Sequence, residues 1–268
     1  MRETNQRRLR IWPGVCALLF ATTVALSACA QTSGGEPSGG LAWPENRHPD
    51  FAMTPRLTGP GAEAINARLG HFDAQGLNER AQCLEMGQER GEFVRLTGVA
   101  FTGPRFLTVV ITDDYYCGGA YPSVNLVYLT LDRETGGAPD WARLWPAADL
   151  LATSGGDDLL PSTTEAPALV DWFRSAVRAD PENDAEWLEQ CDPWYGADPM
   201  QQPLVVWLDA AAGGIALDWT HLPHVAMACG STQVMPLDVA ARLGASPELI
   251  EAVRQGHADW VARTPELP

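Results

Sequence analysis

The segment 113–122, DDYYCGGAYP, is the most unusual stretch of this sequence. Its adjacent glycines permit positive φ and let a ligand or another backbone approach closely. Its three tyrosines offer flat amphipathic surfaces that stack on sugars or on the side chains of a partner. We therefore predict a binding loop here, and a structural hairpin loop whose tyrosines cover the edge of a sheet is the alternative. The predicted contacting residues are Asp114, Tyr115, Tyr116, Gly118, Gly119 and Tyr121.

Catalytic patterns are weak by comparison. Cys117 as a thiol nucleophile would need His221 or His224 as its base, with Asp113 or Asp114 to orient that base. Adjacent carboxylates in a strand or loop usually point apart, so they do not by themselves indicate glycoside hydrolysis. The two histidines flank a proline and have no convincing third metal ligand. We expect no catalytic site, no metal site and no cofactor.

The first 29 residues have the form of a lipoprotein signal. Arginines precede an apolar stretch over 11–25, and Leu26-Ser27-Ala28-Cys29 follows it. Small residues before the cleavage point are typical of a secretory signal, and a cysteine directly after them predicts lipidation at Cys29. The apolar stretch is too short for a spanning helix, which needs about 20 residues. Because Ala30 follows the cysteine, we expect a lipoprotein of the outer membrane that faces the periplasm.

The domain organisation follows from this signal. We predict a lipoprotein signal peptide over 1–28, a flexible Gly/Ser/Pro tether over 29–42 and one periplasmic domain over 43–268. Two intertwined subdomains, about 43–132 and 133–268, are the alternative to a single core.

The net charge is strongly negative. The 18 basic and 34 acidic residues give −16 for the whole chain; residues 1–28 contain four Arg and one Glu, so the remainder has 14 basic and 33 acidic residues, a net charge of −19. An acidic excess of this size argues against nucleic acid and anionic lipid headgroups as partners. It is compatible with a basic protein partner, because opposite fields speed encounter. The alternative is that the charge only keeps the domain soluble.

Two disulfides are expected in the secreted domain. After removal of the signal and lipidation of Cys29, an even number of cysteines remains in an oxidising compartment. We favour the pairings Cys83–Cys117 and Cys191–Cys229, because each joins cysteines that are nearest in sequence and flank neighbouring predicted strands.

Hydrophobic periodicity predicts the elements that position these residues. The expected helices cover 61–69 and 165–178, with a further helix that begins at Ser246-Pro247-Glu248. The expected strands cover 93–101, 105–112, 124–131, 204–209, 215–219, 225–229 and 233–235. Strands 105–112 and 124–131 should pair antiparallel around a loop at 113–123. The separate runs of strands and helices indicate an α+β fold, an antiparallel sheet with packed helices, stapled by disulfides.

The chain resembles a family at three places. YYCGGAYPS, followed by a strand and DRETGG, is similar to the GGAHP…D…TG signature of the RsiV-type extracellular domain, with Tyr121 in place of the usual His. LPHVAMACGSTQVMPL resembles the closing segment of that family, and PRLTGPGAEAINARL resembles the opening of its companion domain. Members include a lysozyme-binding anti-sigma ectodomain and a domain attached to a peptidoglycan deacetylase. The resemblance, over about 50–243, implies an α+β domain that binds in the cell envelope and has no catalytic machinery.

These features predict a non-catalytic periplasmic lipoprotein that binds a cell-envelope component, either peptidoglycan or a basic lysozyme-like muramidase. One alternative is an envelope hydrolase with a carboxylate or histidine site around Asp113, Asp114 and His224. Another is a structural lipoprotein that docks onto an outer-membrane assembly, which an exposed apolar patch on the helix 246–262 would favour.

Overall fold

The computed structural model describes residues 40–59, 62–150, 161–195, 202–219, 222 and 224–264, with only the backbone at residues 224 and 225. The predicted signal peptide, the predicted lipidation site Cys29 and the first part of the tether lie outside these residues. Within the described ranges, no helix is both long and apolar enough to cross a bilayer.

The last residues of the predicted tether are described and are paired. Leu41–Ala42 forms strand β1, which pairs antiparallel with strand β2, Arg56–Leu57. The amide of Thr58 also donates a hydrogen bond to the carbonyl of Gly40 at 2.8 Å. The end of the predicted tether therefore belongs to a small two-stranded sheet.

The first large sheet has three antiparallel strands in the order β3-β4-β5, as the β-branched runs predict. Its strands are β3, Glu92–Thr102, β4, Phe106–Tyr116, and β5, Ser123–Asp132. The predicted pairing of the second and third strands is confirmed. The predicted loop 113–123 is wrong in its extent, because Asp113 to Tyr115 pair with both neighbouring strands and Tyr116 still pairs with β3. The loop between β4 and β5 is 117–122.

Helix α1, Ala62–Gly87, covers the inner face of this first sheet. Its Ile65 and Leu69 are buried in one cluster with apolar side chains of β4 and β5. The prediction of a helix at 61–69 is correct in type but far too short. Beyond Leu69 the buried face continues through Asp73, Gly76 and Cys83, which carry no aliphatic periodicity.

The second sheet has four antiparallel strands in the order β6-β7-β8-β9. They are β6, Thr163–Thr164, β7, Leu204–Asp209, β8, Gly214–Trp219, and β9, Gln233–Met235. The predicted hairpin is confirmed by the β7–β8 register.

The predicted strand at 225–229 is wrong, because His224–Cys229 is a 3-10 helix. Side chains of nearby helices take its carbonyl groups: the Trp187 indole donates to Ala228 O at 2.9 Å, and the Tyr195 hydroxyl donates to Cys229 O at 2.7 Å. These hydrogen bonds fix the 3-10 turn to the helices that contain Trp187 and Tyr195 rather than to the sheet.

Helices pack around the second sheet and form the largest apolar cluster with it. They are α2, Trp141–Leu144, α3, Pro167–Ala179, α4, Ala185–Gln190, α5, Asp192–Tyr195, α6, Leu237–Arg242, and α7, Pro247–Arg263. The predicted N-cap of α7 is confirmed, since Leu249 N donates to Ser246 Oγ at 3.2 Å. The apolar side chains of α7 mostly face this cluster, and Val261 is the large apolar side chain that it exposes.

Both predicted disulfides are confirmed. Cys83 in α1 bonds to Cys117 after β4, and Cys191 bonds to Cys229, with Cα–Cα distances of 4.6 and 5.6 Å. These spans are ordinary for a disulfide. The protein is thus an α+β fold of antiparallel sheets with packed helices, stapled by disulfides, as predicted.

Candidate functional site

The predicted binding loop is a short connection held to α1. Cys117 anchors its first residue through the disulfide to Cys83. Gly118 has a φ of 91°, which a residue with a side chain rarely adopts, so the turn requires glycine there. A Cβ at Gly119 would meet no heavy atom within 4 Å, so this glycine borders open space.

The three predicted tyrosines do not share one groove. Tyr115 lies on the inner face of the sheet and stacks on Phe93, with ring centroids 6.0 Å apart. Tyr116 lies on the opposite face, and its hydroxyl donates to Gly119 O at 2.8 Å. Tyr121, at the loop, is 68% exposed. The structure therefore separates the aromatic set, and only Tyr121 offers most of its ring to solvent.

The two adjacent carboxylates also separate. Asp113 points inward and is buried, where its two oxygens accept hydrogen bonds from Arg95 Nε at 2.6 Å and Nη2 at 2.7 Å. Asp114 points outward and is exposed. The geometry does not bring them together as an acid–base pair. His221 and the side chain of His224 lie outside the described residues, and Cys117 is in a disulfide rather than a free thiol.

The buried ion pair between Arg95 and Asp113 fixes the strand register and therefore which residues of the sheet face outward. The Arg95 guanidinium lies over the rings of Phe51 and Phe72, at 4.7 and 5.4 Å from their centroids. It also lies against the backbone of α1 at Gly76, where a Cβ would overlap it. A shift of one residue in strand register turns every side chain to the other face. Because that shift would expose Arg95 and break its bond to Asp113, the pair specifies the β3–β4 register.

The outer face of the first sheet is apolar where solvent reaches it. In the register, Val94 and Val124 lie on either side of Asp114. The next row along the strands has Leu96 and Leu126 on either side of a threonine. The four aliphatic side chains are between 41% and 55% exposed. The solvated face of an antiparallel sheet is normally polar, and an exposed apolar patch marks an interaction site.

We call these five residues the outer aliphatic face: Val94, Leu96, Asp114, Val124 and Leu126. No pattern in the sequence singles out this face, although Asp114 belongs to the predicted binding loop. A partial signal is present in β3, where Val94 and Leu96 are apolar on one side of the strand while Phe93 is buried on the other.

The second sheet covers the other end of the same face. Tyr128 continues the outer side of β5, and its ring stacks on Trp207 of β7 with centroids 3.7 Å apart. Val205 and Ala216 complete this contact. The outer aliphatic face begins where this cover ends.

Two carboxyl groups of the second sheet are perturbed by burial. Desolvation raises the pKa of Asp218, although its oxygens accept hydrogen bonds from Thr232 Oγ1 and Trp219 N, each at 2.7 Å. Burial also raises the pKa of Asp209, and burial together with these two carboxylates raises the pKa of Tyr128. Among the described residues, no group of three or more His, Cys, Asp and Glu side chains has the geometry to hold a metal ion.

Comparisons with known proteins give structural neighbours alone. No protein-family model and no curated protein match the chain. One similar solved structure is a DUF3298 family protein from Pseudomonas aeruginosa PAO1, with a TM-score of 0.45 and 12% identity, covering 80% of this chain and 94% of that one. Another is a DUF3298 member from Bacteroides fragilis, with a TM-score of 0.41 and 16% identity, covering 72% and 68%. The neighbours thus belong to an uncharacterised domain family.

Proposed function

We propose that this protein is a non-catalytic lipoprotein of the cell envelope that captures a basic lysozyme-like muramidase. The observation that carries the proposal is the exposed loop 117–122, braced to α1 by a disulfide, on a chain of net charge −16. A loop fixed in this way loses little conformational freedom when it binds, which favours affinity. Tyrosine is among the residues most often found at binding hot spots, and Tyr121 is 68% exposed.

The charge supports a basic partner. A net charge of −16 attracts a cationic protein over a Debye length of about 8 Å at physiological salt and raises the association rate. The same charge repels anionic lipid and nucleic acid. Muramidases are often basic, so the electrostatic match favours them over neutral partners.

The proposed location is the periplasmic face of the outer membrane, through a lipid on Cys29. The ten residues 30–39, between Cys29 and the paired segment, would have an end-to-end distance of about 17 Å as a flexible tether. The lipid would then hold the domain close to the membrane surface, where it would bind its partner.

The test is capture of purified lysozyme by the purified protein at low and high salt. We expect binding at low salt that weakens at high salt, and about tenfold weaker binding for Tyr121→Ala. Val261→Ala is the matched control, since Val261 is an exposed apolar residue on α7. Co-sedimentation with peptidoglycan sacculi distinguishes the alternative ligand. No binding to lysozyme would refute the proposal, and binding to sacculi alone would favour peptidoglycan as the ligand.

A further inference from the structure

We infer that the outer aliphatic face is the docking surface for an arginine or lysine side chain of a basic protein partner. The alkyl stem of that side chain would lie on Val94, Val124 and the two leucines, and its cation would meet the Asp114 carboxylate. This inference rests on the proposed function and names the surface and the partner chemistry that the function would use.

The geometry places one carboxylate inside an apolar frame. Asp114 is on the central strand, directly between Val94 on β3 and Val124 on β5. Side chains directly opposite on adjacent strands have Cβ atoms about 5 Å apart. Leu96 and Leu126 extend the frame by one row. A cation at Asp114 therefore has apolar surface on both sides for its stem.

The chemistry favours a long cationic side chain over other occupants. Lysine and arginine cover apolar surface with their methylene stems and keep the charged head at a polar group. The outer side of the three strands, between the row of Glu92 and the row of Tyr128, has two carboxylates, Asp114 within the outer aliphatic face and Glu92 beside it, and no basic side chain. A neutral apolar partner would leave the central carboxylate without a countercharge, which is costly once water is excluded.

A second copy of this chain is a poor occupant. Two such faces in contact would bring the Asp114 carboxylates together, and each chain has a net charge of −16. Like charges at an interface disfavour association. We accordingly expect the purified protein to sediment as a monomer even though the face is apolar.

The surface continues into the predicted loop. Tyr116 lies on the same outer side as Asp114, one row nearer the loop, and donates to Gly119 O. The loop 117–122 joins β4 to β5 at this end of the sheet. A partner that contacts Tyr121 is thus beside the outer aliphatic face.

The first experimental arm tests the surface without any protein partner. The methyl resonances of the four aliphatic residues are followed by NMR during titration with n-butylguanidinium, a mimic of an arginine side chain. Guanidinium without a stem and n-butyrate, with a stem and the opposite charge, are the controls. We expect saturable shifts with n-butylguanidinium alone, and about fivefold weaker binding for Asp114→Asn, the upper range for an exposed ion pair. Equal shifts with n-butyrate, or no saturable shift, would overturn the inference.

The second arm measures lysozyme affinity. Asp114→Arg and the double variant Leu96→Ala with Leu126→Ala should each weaken binding by about tenfold or more. Glu186→Arg, the same change of charge at an exposed position of α4, should weaken it much less. All of these residues are at least partly exposed, so thermal unfolding should confirm intact folds.

The two arms separate the two proposals. If lysozyme binds with unchanged affinity to the face variants, the docking surface is wrong and the proposed function stands. If lysozyme does not bind but n-butylguanidinium does, the muramidase proposal is wrong and the cation surface stands. If binding to both is lost on Asp114→Arg, both proposals are supported.

Discussion

Replacing Asp113 with asparagine should destabilise the protein strongly, because it leaves a buried guanidinium without its carboxylate. Both members of the Arg95–Asp113 pair are buried, and two hydrogen bonds of 2.6 and 2.7 Å join them. The guanidinium also lies over two aromatic rings and against the backbone of α1, and Arg95 Nη1 has no hydrogen-bond partner in the described structure. Loss of one member of a buried pair costs about 3–5 kcal/mol.

Urea unfolding with the disulfides intact measures this effect. With an m-value of about 2 kcal/mol/M, the midpoint should fall by about 2 M. The neighbouring Asp114→Asn is the matched control, and because Asp114 is exposed it should change the free energy of unfolding by about 0.5 kcal/mol or less. Arg95→Met combined with Asp113→Leu removes both charges and should recover most of the loss. A loss for Asp113→Asn no larger than that for Asp114→Asn would refute the reasoning.

Three more changes have defined outcomes in urea unfolding. Burial raises the pKa of Asp218, so the folded protein favours the protonated carboxyl and this residue costs stability as the pH rises above about 4. Asp218→Asn removes that cost, so its free energy of unfolding should increase relative to wild type over the same pH range. A difference that does not depend on pH would contradict this. Gly76→Ala should cost about 1–3 kcal/mol despite the better helix propensity of alanine, since its Cβ overlaps the Arg95 guanidinium; a gain in stability would show that the helix moves freely. Replacing Cys83 and Cys117 together by alanine should cost about 4 kcal/mol, because the disulfide closes a separation of 34 residues; an unchanged midpoint would contradict it.

The strands of the first sheet were predictable because their signals are local. The runs at 93–101 and 105–112 are rich in β-branched and aromatic residues, and a Gly-Pro turn separates them. The end of β4 was missed because aspartate is rare in strands. Asp113 is accommodated only because Arg95, which is 18 residues away in sequence, pairs with it inside the sheet. No local pattern contains that information.

The outer aliphatic face was missed for a related reason. Both sides of β3 carry apolar residues, so the alternation does not say which side is covered. Which side is covered depends on how far the second sheet extends over the first, and the contact between the two sheets ends at the stacked rings of Tyr128 and Trp207. The disulfide pairing was predictable from the sequence order, because each bond joins the cysteines that are nearest in sequence. The expected flanking strands were only partly correct, since Cys83 lies in α1 and Cys229 ends a 3-10 helix.

Zero-length carbodiimide cross-linking tests the docking surface most directly. The chain has no lysine, so its N-terminus is its one amine. A cross-link from one of its carboxylates to a lysine must therefore join it to the partner. With lysozyme as the partner, we expect mass spectrometry to find cross-links at Asp114 or Glu92. Cross-links confined to carboxylates of the second sheet and its helices would contradict docking at the outer aliphatic face.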